Sequence, residues 1–170
     1  MIEKLILRKI RESDCSQISE AFLQQGHEKT TTQYVQYLAY QKSGERDIII
    51  AELEGKFAGY LTIKWKSDYL PFRELGIPEI VDFNVLQKFQ RAGIGTQLMN
   101  EAENRIQKVA NYAGIGFGVT EDYGAAQVLY FNRNYKPDGR GLVRDSKSIK
   151  LGEIITIDHS IVFHLTKKLV

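Results

Sequence analysis

The 170-residue chain holds a single cysteine, Cys15, so no intrachain disulfide and no cysteine metal cluster can form. Its formal net charge is only +2, too small to point to nucleic acid or an anionic membrane surface. No apolar run approaches the ~20 residues needed to span a bilayer. Charges on both sides of Leu5-Ile6-Leu7 deny the N-terminus the apolar block of a signal peptide. His27, His159 and His164 are scattered without metal-ligand spacing, so no metal is expected. No internal repeat, low-complexity tract or linker breaks the chain. What survives these exclusions is a cytoplasmic protein of one domain, residues 1–170, with enough length for a hydrophobic core and with neither nucleic acid nor membrane as partner.

The informative stretch runs from Glu79 to Arg105. Ile80-Val81-Asp82-Phe83-Asn84-Val85 is β-branched and aromatic and reads as a strand. Ile94, Leu98, Ala102, Ile106 and Val109 then recur at helical spacing, with Met99 beside them, and predict an amphipathic helix. Between them lies Gln90-Arg91-Ala92-Gly93-Ile94-Gly95-Thr96, which puts two glycines at the helix start. The first N–H groups of a helix lack intrahelical partners, and the dipole places partial positive charge there. Glycine lets a ligand come close to the backbone. The combination is an anion site suited to phosphate or pyrophosphate.

Two common phosphate fingerprints are missing. No Gly, four residues, then Gly-Lys-Ser/Thr occurs, so this is not a P-loop. Three residues beyond Gly95 stands Leu98, where a dinucleotide fingerprint requires glycine. Gln-x-x-Gly-x-Gly after a strand ending in valine instead resembles the acetyl-CoA motif of the GNAT superfamily of N-acetyltransferases. Downstream, Tyr123-Gly124-Ala125-Ala126-Gln127-Val128-Leu129-Tyr130-Phe131-Asn132-Arg133-Asn134-Tyr135 resembles that family's second motif, an Ala-x-x-Leu-Tyr helix followed by a strand. Two motifs in the right order are far more specific than a lone Gly-x-Gly.

The rest of the chain is consistent with that likeness. Leu5 to Ile10 reads as a strand. Ser13 or Asp14 can cap a helix whose apolar face holds Ile18, Ala21 and Phe22, and Gly26 ends it. Thr30 to Thr32 offer a cap for a second helix up to Ser43-Gly44. Asp47 to Leu53 and Phe57 to Trp65 read as an antiparallel pair around Glu54-Gly55-Lys56. Ser67 to Pro78 reads as a loop beside the active site. Ala113 to Thr120 is a strand whose Gly114, Gly116 and Gly118 share one face, which predicts close packing upon it. Arg144 to Gly152 reads as a polar, mobile stretch, and Ile154 to Ile157 and Ser160 to Leu165 as strands. The order β, α, α, β, β, β, α, β, α, β, β is that of the GNAT fold. The resemblance thus implies an α/β protein of the α+β type, with a central, mostly antiparallel, splayed mixed sheet flanked by helices.

Acetyl transfer from a thioester to an amine requires that the coenzyme be held, the amine deprotonated, the oxyanion stabilised and the thiolate protonated. Holding falls to the backbone N–H groups of Arg91, Ala92, Gly93, Ile94, Gly95 and Thr96, with Gln90 beside them. The resemblance implies that Phe83, Asn84 and Val85 pair through their main chain with pantetheine, Val85 N–H being the oxyanion donor. It implies that Tyr130 protonates the leaving thiolate, as a phenol can at neutral pH. Tyr123 stands where the family often has an asparagine that binds the coenzyme. Asn134 replaces a usual glycine, and asparagine tolerates the left-handed backbone required there. Glu79 falls where one branch of the family has its general base, which a raised pKa would suit. Strand alternation puts Asp82 on the opposite face, where it would hold a basic or hydroxyl neighbour.

The implied activity is acetyl-CoA-dependent N-acetyl transfer by direct attack of a primary amine in a ternary complex. Cys15 lies far from the motif, and no covalent nucleophile stands out. The acceptor is a small-molecule or peptide amine. Glu28, Asp68 and Glu74 would attract its cation, and Tyr34, Tyr37, Tyr69 and Phe72 would flank it. Dimers are common in the family, so the resemblance is compatible with a homodimer but leaves the oligomeric state open. The alternative is a non-catalytic acyl-CoA-binding module that keeps the fold for sensing or partner contact.

Overall fold

The computed structural model describes residues 4–170. They fall into two compact units. The first comprises the chain up to Trp65 together with Ile80–Arg105, and the second Lys66–Glu79 together with Ile106–Val170. Each has helices beside an open, mostly antiparallel sheet, the mixed α/β class that the motifs imply.

In the first unit β1 (Leu5–Lys9), β2 (Arg46–Leu53), β3 (Lys56–Lys64) and β4 (Glu79–Val85) lie in the order β1-β2-β3-β4. β2 and β3 form the expected hairpin, with Leu53 opposite Lys56 and Glu54 and Gly55 both at positive φ in the turn. Helix α1 (Asp14–Leu23) is entered without a side-chain cap from Ser13. Asp14 is buried and takes a bidentate ion pair from Arg8 instead. Helix α2 (Thr31–Ser43) begins as expected, with Thr30 Oγ1 accepting from Gln33 N, and ends on left-handed Gly44. Ile10, Ile18, Phe22, Tyr34, Ile48, Ile50, Tyr60 and Leu86 make one continuous core. Most of helix α4 (Ile94–Gln107) belongs to this unit, and Ile94, Leu98, Met99, Ala102 and Ile106 are buried along it. Val109 lies two residues past the helix end and is 70% exposed; the apolar period runs beyond the helix itself.

The second unit has β5 (Tyr112–Gly118), β6 (Lys136–Arg144), β7 (Lys147–Ser148) and β8 (Ile161–Lys168) in the order β5-β8-β6-β7. Helix α5 (Gly124–Asn132) follows a short 3₁₀ turn, and Asn134 takes φ +67° after it, as asparagine can. The loop before β4 contains a short helix, α3 (Leu70–Glu74), which begins beside Pro71. Pro71 looked like a loop residue in sequence, yet proline is favoured in the first turn of a helix. The glycine face of β5 is packed as its spacing predicts. A Cβ at Gly114 would strike the Phe72 ring, one at Gly118 the Tyr123 ring, and one at Gly116 would lie 2.6 Å from Val162 Cγ1. Two further readings need correcting. Residues 147–148 pair with β6 across a hairpin whose turn residues Asp145 and Ser146 both have positive φ, so the polar stretch is partly strand. Residues 154–157 form no strand, and Ile154 and Ile157 are exposed. Their β-branching suits a strand, but no partner strand covers them.

Candidate active site

The glycine loop follows β4 through a 3₁₀ turn, Gln87–Phe89, and opens directly into α4. Arg91 has φ +62° and Gly93 φ +78°. Left-handed residues alternating with others turn successive N–H groups towards one concavity, an anion nest. The loop residues Gln90 to Gly93 and Thr96 are exposed, whereas Ile94 is buried and anchors the helix start. Gly95 is closed on its inner side: a Cβ there would stand 3.0 Å from Phe83 Cζ. Gly93 has open space around it, so its glycine answers to φ and not to crowding. Gln90 donates from Nε2 to Val85 O at 3.2 Å, and its own N–H bonds Gln87 O. Its amide therefore ties the loop back to the end of β4. These features fit a diphosphate at the loop, with main-chain amides as donors and helix charge behind them.

β4 itself is irregular. Asp82 has φ +50°, a left-handed conformation uncommon outside glycine and often found at functional sites. It breaks the alternation on which the opposite-face reading of Asp82 rests. The Asp82 carboxylate accepts from Tyr60 OH at 2.5 Å, Asn84 Nδ2 at 2.7 Å, Tyr37 OH at 2.8 Å, Gln33 Nε2 at 3.2 Å and Lys29 Nζ at 3.2 Å. The expected basic and hydroxyl neighbours are thus both present. Burial, followed by the Asp82 charge, pushes the Tyr37 phenol up to about 12 and drives Tyr60 higher still. Both phenols stay protonated and donate. Tyr34 is fully buried, with its hydroxyl 3.4 Å from Tyr60 and its ring edge-on to the rings of Tyr37 and Tyr60. Gly59 lets β3 approach β4: a Cβ on it would lie 2.6 Å from Asn84 O. Phe83, Asn84 and Val85 are partly buried, with Phe83 packed on Gly95 and Asn84 joined to Asp82 and, at 3.4 Å, to Tyr60 OH.

The second unit carries Glu79, Tyr123 and Tyr130. Glu79 is buried. Ser67 Oγ donates to its Oε2 at 2.5 Å, and His164 Nε2 lies 3.7 Å from Oε1. His164 stacks on Tyr69 with centroids 3.6 Å apart and planes 2° from parallel, and Tyr69 OH donates to Asp138 at 2.7 Å. Burial lowers the imidazole pKa to about 4, so His164 is neutral at physiological pH. Its Nδ1 is buried with no hydrogen-bond partner among the described residues. Tyr130 is 5% exposed and tilted against Phe117 and Tyr135. Burial alone pushes its phenol above the ordinary range, which keeps the proton in place. Tyr123 covers Gly118, and its hydroxyl lies 3.0 Å from His159 Nδ1.

Several positions depart from expectation. Tyr69 and Phe72 are buried in the second unit's core and are not surface flanks for a cation. Asp68 is exposed and faces Arg73 at 3.8 Å, and Glu28 and Glu74 are exposed. Lys29, Gln33 and Tyr60 had no motif to mark them: they come from a loop, a helix and a strand, and only the fold brings them to Asp82. Among the described residues no group of three His, Cys, Asp or Glu side chains could hold a metal ion, and no helix is long and apolar enough to cross a membrane.

Comparison with known proteins places this combination of glycine loop, kinked strand and tyrosine helix. A model of the acetyltransferase (GNAT) family matches residues 9–133. The chain belongs to the GNAT acetyltransferase family, whose general chemistry is acetyl transfer from acetyl-CoA. No curated protein sequence matches it. Solved structures resemble it in fold. An N-acetyltransferase from Staphylococcus aureus Mu50 superimposes with a TM-score of 0.71 at 14% identity, over 98% of this chain and 99% of that one. The yncA protein of Salmonella typhimurium, solved with its cofactor acetyl-CoA, gives 0.68 at 16% identity, over 98% and 94%. The ribosomal-protein-S18-alanine N-acetyltransferase of Escherichia coli gives 0.68 at 11% identity, over 98% and 94%.

Proposed function

We propose that the chain transfers the acetyl group of acetyl-CoA to a primary amine by direct attack, and that residues 1–170 act as one catalytic domain. The observation that carries this reading is the loop at Arg91 to Thr96, where two positive-φ residues, Arg91 and Gly93, run directly into a helix start, a combination suited to presenting main-chain donors to an anion. The diphosphate of the coenzyme would be held there by the N–H groups of Arg91, Ala92, Gly93, Ile94, Gly95 and Thr96. Main-chain groups of Phe83, Asn84 and Val85 would take the pantetheine, with Val85 N–H stabilising the oxyanion. Bound acetyl-CoA supplies the activated acyl group. Tyr130 is the proposed proton donor to the departing sulfur, and its raised pKa keeps the donor loaded. Glu79 is the proposed general base, reached by the amine through water. It is buried beside the Ser67 hydroxyl and the His164 ring. Tyr123 is the proposed coenzyme contact at the start of α5.

The acceptor is a small-molecule or peptide amine. A fold neighbour named for acetylating a ribosomal-protein alanine supports an amine of that kind. Thiol release measured with acetyl-CoA and a panel of small and peptide amines tests the reading. Turnover with at least one amine is expected; release no faster than hydrolysis across the panel would refute it.

A further inference from the structure

The Asp82 cluster already contains a primary amine. Lys29 Nζ stands 3.0 Å from Tyr60 OH and 3.2 Å from Asp82 Oδ1. It also lies 5.0 Å from the centroid of the Phe22 ring and 5.5 Å from that of Tyr60. One carboxylate, the Tyr60 hydroxyl and the Phe22 ring thus surround a single ammonium, the arrangement that recognises an alkylammonium ligand. The lysine is held there from behind: Ser19 Oγ donates to Lys29 O, which pins the segment between α1 and α2. The amine is one side chain away from the strand residues assigned to the thioester. Asn84 Nδ2 lies 2.7 Å from Asp82 Oδ1, the same oxygen that pairs with Lys29.

We propose that Lys29 is acetylated by this chain itself, with Asp82 as its proton acceptor; this rests on the acetyl-CoA reading above. A lysine is a poor nucleophile while charged, and Asp82 Oδ1 is in hydrogen-bond contact with the proton to be removed. Lys29 Nζ passes one proton to Asp82, then forms a bond to the acetyl carbon of acetyl-CoA as the carbon–sulfur bond breaks. The electron pair of that bond leaves on sulfur, which takes the second nitrogen proton. Asp82 returns the first proton to water. The products are Nε-acetyl-Lys29, free CoA and one proton. Lys29 needs no help from Glu79, because it carries its own base. Acetylation removes the cation from the cluster and leaves Asp82, the Tyr60 hydroxyl and the Phe22 ring to a second ammonium, so the modification would change which acceptor the site takes.

The test incubates the whole chain with isotopically labelled acetyl-CoA and follows each lysine by peptide mass spectrometry. Lys56 and Lys108 are exposed and report purely chemical acetylation. Lys29 is expected to react at least ~100-fold faster than either, the scale of positioned acid–base catalysis, at a rate per molecule independent of protein concentration. Asp82→Asn should erase that advantage, and Lys29→Arg should remove the labelled site. Equal rates at Lys29, Lys56 and Lys108 in the wild-type chain would overturn the inference whatever the variants do. Coenzyme binding, read from the backbone amides of Gly93 to Thr96, separates the two failures. Binding and turnover of an added amine with Lys29 unmodified would sink only this inference, whereas no binding would sink the acetyl-CoA reading with it.

Discussion

Glu79 and Asp82 stand three residues apart on one strand, yet each belongs to a different unit and meets a different fate. Asp82 is held by five donors, one of them a lysine ammonium. Glu79 is buried beside a serine hydroxyl and a histidine that burial keeps neutral. Asp82 thus anchors one ammonium and two phenols, and its contact with Lys29 is the one the proposed self-acetylation uses. Glu79 is the carboxylate proposed above as base for a free amine. The kink at Asp82 is what makes this division local: the left-handed residue turns its carboxylate onto Tyr60 and Tyr37, out of the strand's regular alternation.

The comparison predicts different kinds of damage. Asp82→Ala should be the costliest change for stability. It strands Lys29 and two phenols, and breaking a buried charged network costs about 3 kcal/mol, allowing for the partial exposure of the pair. Urea unfolding at neutral pH checks this; a loss below ~1 kcal/mol would show that the cluster is ornamental to the fold.

Next comes the acid limb of stability. His164 has a folded pKa of about 4 against an ordinary value near ~6.5. Its stabilising contribution is therefore complete above that ordinary value. It falls as the pH drops, because only the unfolded chain takes up a proton between the two values, and levels off below about 4. The expected loss is up to ~3 kcal/mol over that window. Unfolding midpoints at a series of pH values measure it, and His164→Gln should flatten the curve there.

Glu79→Gln should be mildest for the fold and sharpest for chemistry. The amide oxygen still accepts from Ser67, so stability should move by less than ~1 kcal/mol, while turnover with a free amine falls about 100-fold. A variant that unfolds without losing specific activity per folded molecule would reverse the roles assigned to the two carboxylates.

Much of this was legible in the residues. The loop, its two glycines and the buried face of α4 follow from local spacing, because backbone conformation and helical period are local properties. The glycine face of β5 likewise foretold tight packing, and Phe72, Val162 and Tyr123 supply it. Asn134 kept its left-handed turn without glycine. The Asp82 cluster was only half visible. Its strand residue and Tyr37 could be named, but Lys29, Gln33 and Tyr60 converge through tertiary packing that no period encodes. The short helix at Leu70–Glu74 and the absent strand at residues 154–157 were misread for the same reason: each depends on what lies beside it, and intrinsic preference is a weak guide there.

The most direct test of the central claim is a titration of the labelled chain with acetyl-CoA, followed at the backbone amides. Saturable shifts concentrated at Gly93, Ile94, Gly95 and Thr96, with Phe83 to Val85 following, are predicted. Unmoved amides in that loop at saturating coenzyme would contradict the account.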